Sequence, residues 1–196
     1  MLKLFNKKSE NLFEPSNSAR SIKKLKIVYP DFDISLQGDK FQNFTRLEDL
    51  YFHFAIDYEC YLPQEIGDIT SLRSLGILNL NYSVFPEWIL KMENLESLII
   101  RGNNIEYLPS EIDKMKNLKK LRIENCNIKT LPKSLNKLKK LKEISLKDNF
   151  YIKEIDPNCL PYNLKKLDII VTNVTDKNKN IIKEVRPRLK LDRSVY

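Results

Sequence analysis

The side chains that could do chemistry are few in this sequence and form no catalytic set. His53 is the only histidine, so any site that requires a pair of histidines is excluded. None of the serine or cysteine residues lies in the Gly-x-Ser-x-Gly pattern that exposes a nucleophile. The chain has four glycines, dispersed along it, and therefore no phosphate-binding loop. We expect neither catalysis nor a bound cofactor.

The cysteines predict buried thiols in a reducing compartment. Cys60, Cys126 and Cys159 are odd in number and lack the spacing of a metal site, whereas secreted proteins usually pair their cysteines. The N-terminal sequence M-L-K-L-F-N-K-K lacks the apolar stretch of a secretory signal, and no window is apolar enough for a membrane span. A cytoplasmic location is expected, and export without a standard signal is left open.

The elements that must position any site come from a repeat. The lines L-E-S-L-I-I-R-G-N-N-I-E-Y-L-P and L-K-K-L-R-I-E-N-C-N-I-K-T-L-P begin at Leu95 and Leu118, a spacing of 23 residues, and share their aliphatic positions. Aliphatic residues at the fourth and sixth places alternate with outward residues, which is typical of a strand with one buried face. Further rungs begin at Ile22, Leu47, Leu72, Leu141 and Leu164.

This pattern, L-x-x-L-x-L-x-x-N/C-x-L followed by L-P-x-x-I/L-x-x-L, resembles the leucine-rich repeat family in its 23-residue subtype, found in intracellular and bacterial proteins. The resemblance implies an α/β solenoid: a right-handed superhelix with a parallel β-sheet on the concave face and short helices or 3-10 turns on the convex side. It also implies that the chain recognises another protein and is not an enzyme. We expect a monomer.

Three segments are predicted. Residues 1–20 form a cap or a partly disordered segment, in which Leu12 and Phe13 would cover the first rung; residues 21–174 form about seven rungs; and residues 175–196 form a capping helix and a closing strand. The helix is expected over Asn178–Val185, with Ile181, Ile182 and Val185 on one face, and the strand around Leu189 and Leu191, followed by the charged Arg193.

Two details of the rungs can also be predicted. The first two rungs carry two extra residues each, expected in turns around Asp33–Gly38 and Asp57–Tyr61. The residue at the ninth place turns inward and should hydrogen-bond to backbone groups of the turn that the sheet leaves unpaired. Four residues fit this role: Asn103, Cys126, Asn149 and Thr172.

The outward residues at places three, five, seven and eight are predicted to form the concave face. The residues expected to bind a partner lie on neighbouring strands: Tyr51, His53, Phe54, Leu78 and Ile99, flanked by Arg101 and Arg122. An exposed apolar and aromatic cluster bordered by arginine has the composition of a protein-binding hot spot. The sequence leaves open that N-terminal residues cover the cluster, or that the strand register differs there.

A lysine ridge provides an alternative. The net charge is +8, from 34 Lys+Arg against 26 Asp+Glu. Lysines recur near the turn into each strand from Lys91 to Lys166 and could meet nucleic acid or acidic lipid. Glu93, Glu96 and Glu143 interrupt the ridge, and aromatic residues do not interleave with it as single-strand binding requires. A solubilising surface is therefore favoured, and nucleic acid is not the expected partner.

Overall fold

The chain folds into a single parallel sheet whose strands follow one another in chain order. In this computed structural model the described residues are 2–5, 19–28, 33–55 and 60–192. Within them the sheet has nine strands, each hydrogen-bonded to the next along the chain. The residues at 12, 13, 57 and 193, for which the sequence suggested a cap, an inserted turn and a charged edge, lie outside the described part.

The strands are β1 (Leu2–Phe5), β2 (Lys24–Val28), β3 (Asp49–His53), β4 (Ser74–Leu78), β5 (Ser97–Arg101), β6 (Lys120–Glu124), β7 (Glu143–Ser145), β8 (Lys166–Asp168) and β9 (Lys190–Asp192). Short 3-10 helices lie between them, at Ala19–Ser21, Ile34–Asn43, Gln64–Asp68, Glu87–Lys91, Ser110–Lys114, Lys133–Lys137 and Pro157–Cys159. One α-helix, α1 (Asp176–Val185), precedes the last strand.

Two columns of apolar side chains run through the stack beneath the sheet. Leu50, Leu75, Leu98 and Leu121 share one register, and Phe52, Ile77, Ile100 and Ile123 share the next. All eight are fully buried. Each contributes roughly 1.5–3 kcal/mol by leaving water, which single short strands could not supply. The solenoid predicted from the repeat is confirmed.

Proline begins the 3-10 helix of each regular rung. Pro63, Pro86, Pro109 and Pro132 occupy the N-cap positions with φ between −62° and −72°. The proline ring fixes φ in this range and removes an N–H that has no partner at a helix start. One aliphatic side chain of each helix then points into the core: Ile66, Ile89, Ile112 or Leu135.

The ninth-place residues satisfy the turns as predicted. The side-chain amide of Asn149 donates to the carbonyls of Ile123 (2.7 Å) and Leu146 (2.8 Å), and its oxygen accepts from the Ile128 N–H (3.1 Å). Asn103 makes the equivalent bonds in its own rung. In the next rung, the Cys126 thiol donates to the Glu124 carbonyl at 3.3 Å. Thr172 donates to the Ile169 carbonyl at 2.8 Å, so all four predicted residues bond to backbone groups.

The strand before the first rung and the turn of the first rung differ from the sequence expectation, whereas a helix and a last strand close the C-terminal end as expected. The strand Leu2–Phe5 pairs with Lys24–Ile27, so part of the segment expected to be a cap or partly disordered continues the sheet. The extra residues near Asp33 lengthen a 3-10 helix, Ile34–Asn43, rather than a turn, and Asp33 caps it by accepting from the Ser35 N–H at 2.9 Å. In α1, Ile182 is buried, whereas Ile181 and Val185 are exposed.

Candidate functional site

The sheet brings most of the predicted partner-binding residues together on its outer side. Tyr51, Gly76, Ile99 and Arg122 share one register across β3 to β6, and His53, Leu78 and Arg101 share the next. We call the outward residues of the strands the sheet face. Adjacent parallel strands lie about 4.8 Å apart, so these seven positions form one continuous patch.

The patch has an apolar centre and a cationic edge. Tyr51, Leu78 and Ile99 are half-buried, while Arg101 and Arg122 are exposed and make no salt bridge to any residue in the described part of the chain. Unpaired guanidinium groups beside apolar side chains can donate hydrogen bonds to a carboxylate without breaking an existing pair. We call Tyr51, His53, Leu78, Ile99, Arg101 and Arg122 the sheet-face cluster.

Tyr51 is held in a fixed orientation. Its hydroxyl shares a hydrogen bond of 2.7 Å with the Ser74 hydroxyl on the next strand. Its ring lies over Gly76, where a Cβ would fall within 2.7 Å of Tyr51 Cε1. Gly76 therefore leaves the space that the ring occupies. An aromatic side chain that is fixed before binding loses little conformational entropy when a partner binds.

Phe54 is a correction to the sequence prediction, because it belongs to the core rather than to the sheet face. Its side chain is 1% exposed. The residue follows the end of β3, where its N–H donates to the Leu78 carbonyl at 3.1 Å and its carbonyl accepts from Asn79 Nδ2 at 3.3 Å. In the later rungs this place has positive φ, as at Asn79, Asn125 and Val171, and Phe54 does not.

Positive charge surrounds His53. Burial lowers the pKa of the imidazole, and the nearby Lys26 and Arg101 lower it further. The neutral form is therefore favoured at neutral pH, and the histidine reports a positive potential at this end of the cluster.

Several lysines of the ridge pair with carboxylates of neighbouring rungs. Lys119 contacts Glu96 at 2.6 Å, Lys120 contacts Glu143 at 3.7 Å, and Lys137 contacts Asp113 at 3.0 Å. The hydrogen bond from Lys119 and its charge lower the pKa of Glu96. Exposed pairs of this kind add little stability, but they reduce the positive potential that an anionic surface would meet at these lysines.

Unpaired lysines of the ridge collect around a groove on the back of the stack. The groove, of about 870 Å³, lies between the 3-10 helices Glu87–Lys91 and Ser110–Lys114. Lys91, Lys114 and Lys116 line it and make no salt bridge to a described residue, although Glu87 and Glu93 line it too. We call it the back groove.

A row of exposed apolar residues on the flank of the stack is absent from the sequence prediction. Tyr61, Val84 and Tyr107 are 76%, 72% and 54% exposed. Each stands directly before the Leu-Pro or Phe-Pro step of its rung, at the repeat spacing of 23 residues. That spacing was the available signal. The row lies beside the Pro step of each rung, whereas the repeat pattern points to the outward residues of the strands.

The described residues form no cluster that could hold a metal ion. Within residues 19–28, 33–55 and 60–192, no three His, Cys, Asp or Glu side chains are placed to share a metal ion. All three cysteines are unpaired and buried, as expected, and burial raises the pKa of Cys60 and Cys126 to about 11 and that of Cys159 to about 12. Protonated thiols of this kind are poor nucleophiles.

A family model for a leucine-rich repeat region matches residues 20–190, nearly the whole of the solenoid. The chain belongs to the leucine-rich repeat family. Leucine-rich repeat domains are typically protein-interaction modules and are generally non-catalytic. No described helix of this leucine-rich repeat protein has the length and apolar character that crossing a bilayer requires.

Two solved structures are similar to this leucine-rich repeat chain. A leucine-rich repeat protein from Leptospira interrogans is 20% identical, with a TM-score of 0.47 over 89% of this chain and 62% of that one. A chain of the Toll–Spatzle complex from Drosophila is 15% identical, with a TM-score of 0.67 over 80% of this chain and 21% of that one. The second likeness shows the fold alone. No curated protein sequence matches the chain significantly.

Proposed function

We propose that this chain is a non-catalytic recognition module that binds another protein through the sheet-face cluster. The observation that carries the proposal is the common register of Tyr51, Ile99 and Arg122 on β3, β5 and β6, with Leu78 and Arg101 beside them. Tyrosine and arginine are enriched among the residues that dominate binding energies, and this patch combines both around an apolar centre.

The chemistry of the patch also suggests the partner. Two exposed arginines without salt bridges, and the positive potential near His53, favour a partner surface with carboxylates around an apolar centre. The parallel sheet holds these side chains on paired backbones, so little conformational freedom is lost on binding. A surface of this kind gives fast, steered association and retains apolar contacts at high salt.

The test is capture of partners from native lysate with the wild-type chain and with the double variant Tyr51→Ala/Leu78→Ser. The matched control is Leu36→Ser/Tyr162→Ala, which makes the same kinds of change at residues 73% and 87% exposed outside the sheet face. A partner retained in about 0.5 M salt by wild type and control, and lost by the double variant, supports the proposal. Equal retention by all three chains contradicts it, provided that circular dichroism shows all three folded.

A second candidate is binding to an anionic surface, nucleic acid or acidic lipid, through the lysine ridge. The specific observation in its favour is the set of unpaired lysines around the back groove: Lys91, Lys114 and Lys116. It predicts binding that falls steeply with salt and that is lost in Lys114→Glu/Lys116→Glu. The pairs of Lys119, Lys120 and Lys137 with carboxylates speak against it, so it ranks second.

A further inference from the structure

The flank of the stack carries a groove without charge. It has a volume of about 590 Å³. The described residues that line it are Cys60, Tyr61, Leu62, Leu80, Asn81, Tyr82, Ser83, Val84, Phe85, Pro86, Trp88 and Asn104. None is Lys, Arg, Asp or Glu, although such residues make up 31% of the chain. We call it the flank groove. Its lining favours an uncharged ligand, because an ion there would lose hydration without gaining a counter-charge.

Aromatic rings form the floor and the rim of the flank groove. Tyr82 is buried at the floor, where its hydroxyl accepts from the Leu62 N–H at 2.8 Å and burial raises its pKa to about 12. Tyr61 stands at the rim, with its ring centroid 6.1 Å from that of Tyr82 and at 54° to it. Trp88, half-buried, closes one side. Rigid rings of this kind offer contact area at low entropic cost.

The rim continues as a row at the spacing of the rungs. Tyr61, Val84 and Tyr107 occupy the same place in successive rungs, and Lys129 lies over the Tyr107 ring at 5.6 Å, which holds it in place. Two rungs span about 9.6 Å, since neighbouring strands lie about 4.8 Å apart. A polyproline II helix advances about 9.3 Å in its three-residue turn. A segment in that conformation would therefore meet Tyr61 and Tyr107 with residues one turn apart.

Donors for such a segment are present in the groove. The Trp88 indole N–H and the Ser83 hydroxyl make no hydrogen bond to any residue that the structure describes. Asn104 donates one amide hydrogen to the Asn81 side-chain oxygen and keeps a second. Polyproline II segments have no internal hydrogen bonds, so their carbonyls are available to accept from these groups.

We propose that the flank groove binds an uncharged, proline-rich segment of a partner protein in the polyproline II conformation. Pro-rich segments are recognised by grooves lined with aromatic side chains. Prolines of the segment pack between the rings, and polar groups of the groove donate hydrogen bonds to the carbonyls of the segment. The assignment is independent of the sheet-face cluster, because the two surfaces share no residue.

Trp88 is the only tryptophan of the chain and gives a direct readout. The probe is an end-blocked peptide of three Pro-Pro-Leu-Pro repeats, titrated into the full chain while the emission of Trp88 is recorded. Saturable change is expected, with a Kd that changes less than about twofold between low and high salt, because no charged residue lines the flank groove and Lys129 beside Tyr107 is paired with Glu106. Tyr61→Ala and Tyr107→Ala should each weaken binding at least tenfold, since each removes one exposed ring without disturbing the core.

Tyr162→Ala is the matched control, because Tyr162 is 87% exposed near β8 and should not affect the Kd. A second probe replaces every proline by glycine, which abolishes the preformed helix, and should bind at least tenfold more weakly. The proposal is overturned if the proline peptide leaves the emission unchanged, if both peptides bind equally, if Tyr162→Ala weakens binding as much as Tyr61→Ala, or if a neutral oligosaccharide saturates the same change and the peptide does not.

Discussion

The ring of Tyr51 lies on the backbone of Gly76 in the neighbouring strand, in a space that any other residue would fill. A Cβ at Gly76 would come within 2.7 Å of Tyr51 Cε1, and closer still to Cδ1. The same tyrosine shares its hydroxyl hydrogen bond with Ser74, two residues before the glycine. The orientation of the largest side chain in the sheet-face cluster therefore depends on the absence of a side chain beside it.

Gly76→Ala is expected to expel the Tyr51 ring, break its bond to Ser74 and lower the free energy of unfolding by about 1–3 kcal/mol, as overpacking does. In a Tyr51→Ala background the same change should cost less than about 0.5 kcal/mol, because the added methyl meets no ring. Urea unfolding of the four chains of this double-mutant cycle measures the coupling. Equal costs in both backgrounds would show that the ring does not occupy the site.

Cys126→Asn is expected to stabilise the chain by about 1 kcal/mol. Asn103 and Asn149 accept from the N–H groups of Tyr82 and Ile128, each 21 residues earlier, and Ile105 stands at the same place before Cys126. An asparagine oxygen would complete the row. The reverse change, Asn149→Cys, should destabilise by about 1–3 kcal/mol, because it leaves buried backbone groups unpaired. A denaturation midpoint lower than that of wild type for Cys126→Asn would show that this position is not equivalent to Asn103 and Asn149.

Leu121→Ala should lower the free energy of unfolding by about 2–5 kcal/mol, since Leu121 is fully buried in the centre of the stack. The neighbouring Arg122 is exposed on the opposite side of the strand, and Arg122→Ala should stay within about 0.5 kcal/mol. A thermal or urea melt of both variants is sufficient. A loss under about 1 kcal/mol for Leu121→Ala would contradict the inward placement.

The closing strand should loosen in acid. Lys166 donates to Asp192 at 2.7 Å, and this bond lowers the pKa of the Asp192 carboxyl below its ordinary value of 3.8. A lowered pKa in the folded chain contributes stability above the unfolded value, and that contribution is lost as the pH falls through the folded value. The stability difference between wild type and Asp192→Asn should therefore shrink as the pH falls below about 4.

Urea midpoints at a series of pH values measure this difference, and Lys166→Met provides the matched control because it removes the donor instead of the acceptor. Lys166→Met should lose most of the same acid dependence, and Lys190, 3.6 Å from Asp192, retains the smaller remainder. A gap between wild type and Asp192→Asn that stays constant down to the lowest pH would show that the pair does not bind β9 to β8.

The register of the sheet could be predicted, because a fixed repeat length determines which residues pair on neighbouring strands. Once Leu72, Leu95 and Leu118 are recognised as equivalent, every outward residue acquires its neighbour, and the alignment of Gly76 with Ile99 and Arg122 follows without coordinates. The inward columns follow from the same count, since a shift by one residue would turn every leucine outward.

Phe54 could not be placed in the same way. The eighth place of a regular rung holds a residue with positive φ, such as Gly102 or Asn125, but the second rung has a phenylalanine there. Counting places assumes that all rungs turn alike, whereas burial of a large aromatic ring is strong enough to change the local turn. The short strand Leu2–Phe5 was not predicted, because the residues before Ile22 lack the repeat motif.

The flank groove could not be predicted from the sequence. The spacing of Tyr61, Val84 and Tyr107 is visible in the sequence, but it cannot show that Trp88 and Asn104 turn toward the same space. A periodic pattern predicts which residues are equivalent. It does not predict the shape of the surface between the rungs.

Most salt bridges among the described residues join one rung to another, as Lys119 joins Glu96 and Lys137 joins Asp113, so charge pairing belongs to the assembled stack and not to its single rungs. A fragment that stopped after Lys114 would retain both carboxylates and forfeit both ammonium groups. A truncated chain therefore differs from the full solenoid in its electrostatics as well as in its length, because it leaves carboxylates without their lysine partners.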